Sequence, residues 1–363
     1  MKKNLIFFLP NFSPGGAGKS ITNLCKYLDK KKYNLYIISL KKNSYKKELN
    51  RYCKKIYEIN SKKTLFSFID ILKILKEFNK KDTIFISNIN YANILSIVFL
   101  KILFSYKVVI TERTPFQELD YYYGFFDSIK KIIMKFLIPF LYKKSDLIIC
   151  NSKKNSKELS KFINKKCNYI YPILPYIISK KNEFKKNSKI FNILSVGRYS
   201  KEKNFFDIIK SLSLIENKDI RLFLIGSGPD KLQLQRNLSK FTIKAKLINF
   251  SKTAEIKYFK KSHLFISSSD FEGYPNTVVQ AINNNLPVLS TQSHGAINEI
   301  LLYGNGGTFY KKRNVNDLSK KIIFIINNYK MTFKKTLLAK SKLKRFLPNR
   351  GIKKFDYLIK KIK

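Results

Sequence analysis

The chain has no tryptophan, only two histidines and only four cysteines among its 363 residues, and each scarcity removes a class of chemistry. Cys25, Cys53, Cys150 and Cys167 lie far apart with no Cys-x-x-Cys pair, which argues against a zinc ribbon, a dithiol redox centre or a disulfide framework. Cys25 and Cys150 stand in apolar surroundings and read as small core residues of a reducing compartment. His263 and His294 both fall in the second half, so no histidine base can come from the first. Acidic residues are scarce as well: 24 Asp+Glu face 72 Lys+Arg, a formal net charge of +48. Such an excess ordinarily suggests nucleic acid or an anionic membrane. Only eight of the basic residues are arginine, the lysines run along the whole chain, and no nucleic-acid-binding module is recognisable. A nucleic-acid partner is therefore not expected, whereas attraction to an anionic membrane surface needs no base readout and survives. Uninterrupted apolar runs are short. Residues 91–110 could span a bilayer in length but carry Lys101 and Lys107, so they read as a buried helix running into a strand. The opening MKKNLIFFLP reads as a first strand and not as a signal peptide.

Apolar material is ample: 44% of residues are hydrophobic, with 30 Phe and 22 Tyr. The length suits two domains. Short strand-like runs alternate with helical patterns throughout, as parallel α/β layers require. In the first half these runs are LIFFL, YNLYIISL, TIFIS, KVVIT and DLIIC; in the second they are FNILSVG, RLFLIG, AKLINF, HLFISSS and PVLST. The expected fold is α/β, with two Rossmann-like domains facing across a cleft. The first covers residues 1–178, a lysine-rich linker 179–190, the second 191–343, and a basic helix over 344–363 packs back on the first. In such sheets ligands bind beyond the carboxyl ends of the strands.

The loop after the first strand, SPGGAGKS (13–20), nearly matches a phosphate-binding P-loop. Its opening glycine is replaced by Ser13 before Pro14, which cannot easily supply the loop's positive φ. The strand-terminal aspartate that would hold magnesium is also missing, since TIFISN ends in Ser87 and Asn88 and KVVITE in Thr111 and Glu112.

Three loops of the second half concentrate polar chemistry. Gly197-Arg198 is followed by Lys203-Asn204 and a helical pattern, so two cations and a helix N-terminus can converge on one diphosphate. Gly226-Ser227-Gly228-Pro229 is a tight turn that lets backbone approach a ligand. In DFEGYPNTVVQAINNN, Glu272 precedes a Gly-Tyr-Pro turn, Asn276 is placed to cap a helix and Gln280 lies one turn along it.

Together VGRYSKEKN (196–204), LFLIGSGPDKLQL (222–234) and EGYPNTVVQAINNNLPVLSTQSHGAINEI (272–300) resemble the retaining glycosyltransferases of family four, which have the GT-B fold. The resemblance implies a nucleotide-sugar donor, such as a UDP-sugar, held mainly by the second domain. It implies a glycan or lipid-linked glycan acceptor held mainly by the first, in assembly of polysaccharide, lipopolysaccharide or glycoprotein glycans. Arg198 and Lys203 match the pair that clamps the donor diphosphate, and Glu272 the glutamate that contacts the donor sugar. The family's second glutamate, a ribose ligand, is Gln280 here. Gly15 and Gly16 fall in the first domain's glycine loop, and Gly197, Gly226, Gly273, Tyr274, Pro275 and Asn276 on the donor side. Glu112 and Arg113 are acceptor-side candidates, and His294 sits in a loop that approaches the donor phosphates in the family. No cofactor or metal is expected, although Asp270-Phe271-Glu272 superficially resembles a metal-binding Asp-x-Asp. Other readings of the fold are a non-catalytic nucleotide-sugar binder and a sugar-nucleotide epimerase. The helical stretch 125–139 carries a polar arc of Asp127, Ser128, Lys130, Lys131 and Lys135 opposite a broad apolar face. Its lysines are expected to meet lipid headgroups at the inner face of a cytoplasmic membrane, with its apolar face half-buried on the domain.

Overall fold

The computed structural model describes residues 2–362 apart from Pro14, 174–189, 217–218, Thr242 and His294. Most of the expected linker therefore lies outside the described residues. The chain divides into two units, Met1–Pro175 with Phe346–Lys363, and Tyr176–Arg345.

The first unit is built on seven parallel strands: β1 (Lys3–Phe8), β2 (Tyr33–Ser39), β3 (Lys55–Glu58), β4 (Thr83–Asn88), β5 (Lys107–Glu112), β6 (Leu147–Cys150) and β7 (Asn168–Tyr169). Their order is β3-β2-β1-β4-β5-β6-β7, so the direction of winding reverses between β1 and β4. Side chains alternate across the strands. Ile6 and Phe8 face a core shared with the helices Ser67–Leu75, Asn90–Ser96, Phe125–Leu141 and Lys153–Ile163. Leu5 and Phe7 face the helices Gly16–Tyr27 and Pro348–Lys360. The last of these returns from beyond the second unit, with Pro348 opening its first turn. It buries Phe355, Leu358 and Ile359, and the Phe355 ring stacks on Phe7 with centroids 6.5 Å apart.

The helix Phe125–Leu141 is half-buried, resting on the domain through Met134 and Ile138 with Leu137 and Leu141 beside them, and of its expected outward lysines Lys130 is exposed whereas Lys131 is not. Lys131 is buried, pairs with Asp127 at 3.0 Å and donates to the Tyr121 carbonyl; Lys135 pairs with Asp120 at 2.5 Å. Much of the apolar face is left exposed. Amphipathicity fixed two faces but not how much of the apolar one would find a partner: Asp127 and the Tyr121 carbonyl draw Lys131 inward, while the Lys135–Asp120 pair stays largely exposed.

The second unit has six parallel strands: β8 (Phe191–Val196), β9 (Ile220–Gly226), β10 (Lys244–Asn249), β11 (Leu264–Ser267), β12 (Val288–Thr291) and β13 (Thr308–Tyr310). They run β10-β9-β8-β11-β12-β13, and the winding reverses between β8 and β11. Ile193, Leu222, Leu224, Ile266 and Leu289 pack against Ile208, Ile209, Leu318 and Ile322 of flanking helices.

Candidate functional site

Each reversal leaves a crevice between neighbouring strand ends, and the loops that leave those strands line it. In the second unit they are the loops after β8 and β11. Tyr199 anchors the first: its buried hydroxyl donates to the Leu224 carbonyl at 2.8 Å and to Ile248 at 3.2 Å. The end of β9 passes so close that a Cβ on Gly226 would lie 1.9 Å from the Gly197 carbonyl oxygen, a contact only glycine avoids. A short 3₁₀ turn, Lys201–Lys203, then ends at Asn204 with φ +52°, whose side chain donates to Asp207 at 2.6 Å.

The loop after β11 is tied to this turn. Ser268 Oγ donates to the Lys203 carbonyl at 2.6 Å and the Asp270 amide to Glu202 at 2.8 Å. These bonds bring the ammonium of Lys203 onto Glu272 Oε1, which also accepts from Ser269 Oγ at 2.9 Å. The pair is about one-fifth exposed, 20% for Lys203 and 18% for Glu272. The Lys203 stem runs past Gly197, whose Cβ would meet its Cδ at 3.5 Å. Gly295, at φ +104°, abuts the Glu272 carbonyl, where any Cβ would collide at 1.5 Å, and the Ala296 amide donates to Gly273 at 3.1 Å. The Gly273-Tyr274-Pro275 turn is thereby held from behind.

The helix Asn276–Asn283 starts with Pro275 in the cap position and has no side-chain cap. Asn276 is thus its first helical residue and does not cap it. Asn276 Oδ1 and Gln280 Oε1, one turn apart, are both buried without a hydrogen-bond partner, as is Ser293 Oγ. Arg198 is exposed, and its guanidinium makes no ion pair or hydrogen bond among the described residues. Asp270 is 3% exposed and is held by Arg313 at 2.7 Å and Lys312 at 3.6 Å. His263 is built into the domain: its Nδ1 accepts from the Asn192 amide at 2.9 Å and its ring stacks on Phe191. His294 lies outside the described residues.

In the first unit Gly15 precedes the helix that opens at Gly16, and the Tyr45 hydroxyl bridges the Gly15 amide and carbonyl at 3.1 and 3.2 Å. Lys19 and Ser20 lie inside that helix, which already begins at Gly16. At the end of β5, Glu112 is buried and accepts from Asn93 Nδ2 at 2.7 Å and from the Tyr142 hydroxyl. Burial raises its pKa to about 8 against the pull of those two bonds. A protonated Glu112 Oε2 can donate to the Asn90 amide oxygen that faces it; a carboxylate there would require the Asn90 amide to turn round. Arg113 donates from Nε to Asn88 Oδ1 at 2.8 Å, and burial lowers its pKa to about 10. Ser20, Asn88, Thr111, Glu112, Arg113 and Asn151 line a small cavity at these strand ends. The sequence reading missed Asn88, Asn93 and Tyr142. The signal was three asparagines, at 88, 90 and 93, inside a run otherwise apolar enough to be buried, where each must find a partner.

Comparison with known proteins agrees with this architecture. Residues 14–173 match the Glycosyltransferase Family 4 model and residues 177–336 the Glycosyl transferases group 1 model. An uncharacterized glycosyltransferase of Methanocaldococcus jannaschii is 28% identical over 64% of this chain and 60% of its own. A Campylobacter jejuni N-acetylgalactosamine-N,N'-diacetylbacillosaminyl-diphospho-undecaprenol 4-alpha-N-acetylgalactosaminyltransferase is 26% identical over 61% of each. The chain thus spans about three-fifths of the length of these two relatives. Anabaena HepE, solved in complex with UDP and glucose, superposes with a TM-score of 0.81 over 99% of both chains at 13% identity. Two glycosyltransferase domain models thus follow one another along the chain, one for each parallel-sheet unit, and the fold is that of the GT-B glycosyltransferases.

Proposed function

We propose that the protein transfers a sugar, a hexose or N-acetylhexosamine, from a UDP-sugar to a glycan or lipid-linked glycan acceptor, with retention at the anomeric carbon. The observation that carries this reading is the contact of Lys203 with Glu272 at the strand-order reversal of the second unit. Arg198 and Lys203 take the donor diphosphate, the free guanidinium of Arg198 closing on it when donor arrives. Glu272 takes hydroxyls of the donor sugar. Asn276 Oδ1 and Gln280 Oε1 are acceptors that still need donors, and hydroxyls of the ribose or sugar can supply them. In the transfer, the bond from the anomeric carbon to the diphosphate oxygen breaks. The acceptor oxygen bonds the same face of that carbon, and its proton goes to the departing oxygen. The protein's part is to stabilise charge on the leaving group.

A donor screen that follows UDP release in the presence and absence of acceptor tests the reading; release from no nucleotide sugar would refute it. Gln280→Glu restores a charged acceptor for ribose hydroxyls. It should leave donor KM unchanged or lower, and a large rise would remove Gln280 from the donor site. Activity should also persist in EDTA. Glu272 and Asp270, the residues that resemble a metal-binding pair, are already neutralised by Lys203 and by Arg313 with Lys312. Loss in EDTA with recovery on manganese would overturn metal independence.

On the acceptor side, the guanidinium of Arg113 beside a neutral Glu112 offers a positive charge that its neighbour does not cancel, suited to a phosphate-bearing acceptor. A lipid-linked acceptor would place the reaction at the inner face of the cytoplasmic membrane, with the protein peripherally bound and its anionic lipids opposite the protein's cations.

A further inference from the structure

The helix Phe125–Leu141 is 17 residues long, about 25 Å at 1.5 Å per residue. Only Lys131, Met134 and Ile138 are buried. Phe125, Ile129, Ile132, Phe136 and Phe140 recur every three or four residues along one stripe, with Phe126 and Ile133 beside them. All seven are exposed, Phe126 to 85%, Phe125 to 74% and Phe136 to 69%. An exposed apolar face of this extent marks a surface that meets something apolar. It is not alone. Phe66 and Ile69, at the start of the helix Ser67–Leu75, are exposed on the same layer of the unit.

The charges around the face select its occupant. Its nearby acids are spoken for, Asp127 by Lys131 and Asp120 by Lys135. Several cations flank the face: exposed Lys130, whose ammonium lies over the Tyr91 ring at 4.1 Å, Lys143 and Lys144 just past the helix end, and Lys63 over the Phe66 ring. A second copy of this chain, itself at +48, would bring like charge to like charge. An anionic bilayer offers hydrocarbon beneath a negative surface, matching both the phenylalanines and the lysines. No helix of the described residues is long and apolar enough to cross a membrane, so the contact is one of lying in the interface. We propose that the outward face of the helix Phe125–Leu141 inserts into the headgroup boundary of an anionic membrane, with Phe125, Phe126, Phe136 and Phe140 as its anchors. Of the lysines of the polar arc, Lys130 stays exposed as read in the sequence, Lys131 is drawn in against Asp127 and Lys135 pairs with Asp120, and the apolar stripe meets the lipid. This names the surface for the peripheral association proposed above and rests on that reading.

The absence of tryptophan from the sequence supplies a clean probe. In Phe126→Trp, the single indole should shift its emission to the blue and gain intensity when phosphatidylglycerol vesicles are added to the full-length protein, but not with phosphatidylcholine vesicles. No shift with either would overturn the proposal. The double variant Phe126→Asp/Phe136→Asp, checked for an unchanged Tm, should lose vesicle co-sedimentation by about tenfold or more. Binding equal to wild type would overturn the assigned face while leaving peripheral association standing; wild type that binds no vesicle would remove both. A lipid-free dimer of the wild type that the double variant dissolves would also overturn the proposal, since the face would then belong to a second copy. Turnover with a water-soluble acceptor should be the same in both proteins, which keeps the result apart from the transferase reading.

Discussion

Lys203→Ala should lower the transfer rate by two to three orders of magnitude, a barrier increase of about 3 to 4 kcal/mol typical of removing one donor from a developing oxyanion. The expectation has two parts. The substitution removes positive charge from the proposed diphosphate position, and it strips Glu272 of its cation, leaving only the Ser269 hydroxyl on that oxygen. A carboxylate facing a diphosphate without compensation repels the donor it should bind. Glu272→Ala in the same background should therefore cost much less than it does alone, and the two losses should not add. Arg198→Ala should cut turnover comparably through the charge term alone, because Arg198 holds nothing else in the described residues and its loss leaves the loop intact. Single-turnover rates with saturating donor, on variants whose Tm matches wild type, provide the check. A Lys203→Ala enzyme within about threefold of wild type would end the clamp assignment.

Stability should fall as pH rises from about 5 to about 8, and Glu112→Gln should abolish much of that slope. The folded pKa of Glu112, about 8, lies above the value near 4.3 of an unfolded chain. Across that interval the folded state holds a proton the unfolded state has released, so raising the pH favours unfolding. The contribution is complete below the unfolded pKa and gone above the folded one, and amounts to a few kcal/mol over the window. Glutamine reproduces the neutral acid: its oxygen can still accept from Asn93 and Tyr142, and it carries no ionisable proton. Urea unfolding at pH 5 and pH 8 gives the comparison. The gap between variant and wild type should widen toward pH 8 in favour of the variant. A gap independent of pH would mean that Glu112 is ionised throughout and that the Asn90 amide is turned to meet it.

The interior strands were legible because parallel strands covered on both faces read as unbroken apolar runs, as LIFF, TIFI and LFIS do. β3, β7 and β13 were not. KIYE, NY and TFY are short and lie at or near sheet edges, where half-exposed side chains erase the pattern. Of the site, the elements that position Lys203 and Glu272 could be read from loops at strand ends. Their mutual contact depends on Ser268 and Asp270 tying one loop to the other, which no local pattern records. The Glu112 network was hidden because asparagines and a tyrosine from β4, the helix after it and the end of another helix meet only in three dimensions. The helix Phe125–Leu141 was legible only in part. An apolar stripe is ordinarily taken to face the core, but here the apolar face is wider than its seat, so that Met134 and Ile138 are buried while Phe125, Phe136 and Phe140 stay outside.

The return of the helix Pro348–Lys360 to the first unit bears on synthesis. As the chain leaves the ribosome, Leu5, Phe7, Ile37 and Ile84 emerge early, yet part of the face they form is covered only by Phe355, Leu358 and Ile359. The second unit is contiguous, from Tyr176 to Arg345, and has all its strands out while that cover is still missing. The domain that starts first is thus the one that closes last. A chain truncated after Arg345 and released should carry a finished second domain and a first domain still open to chaperones along the seam the final helix fills.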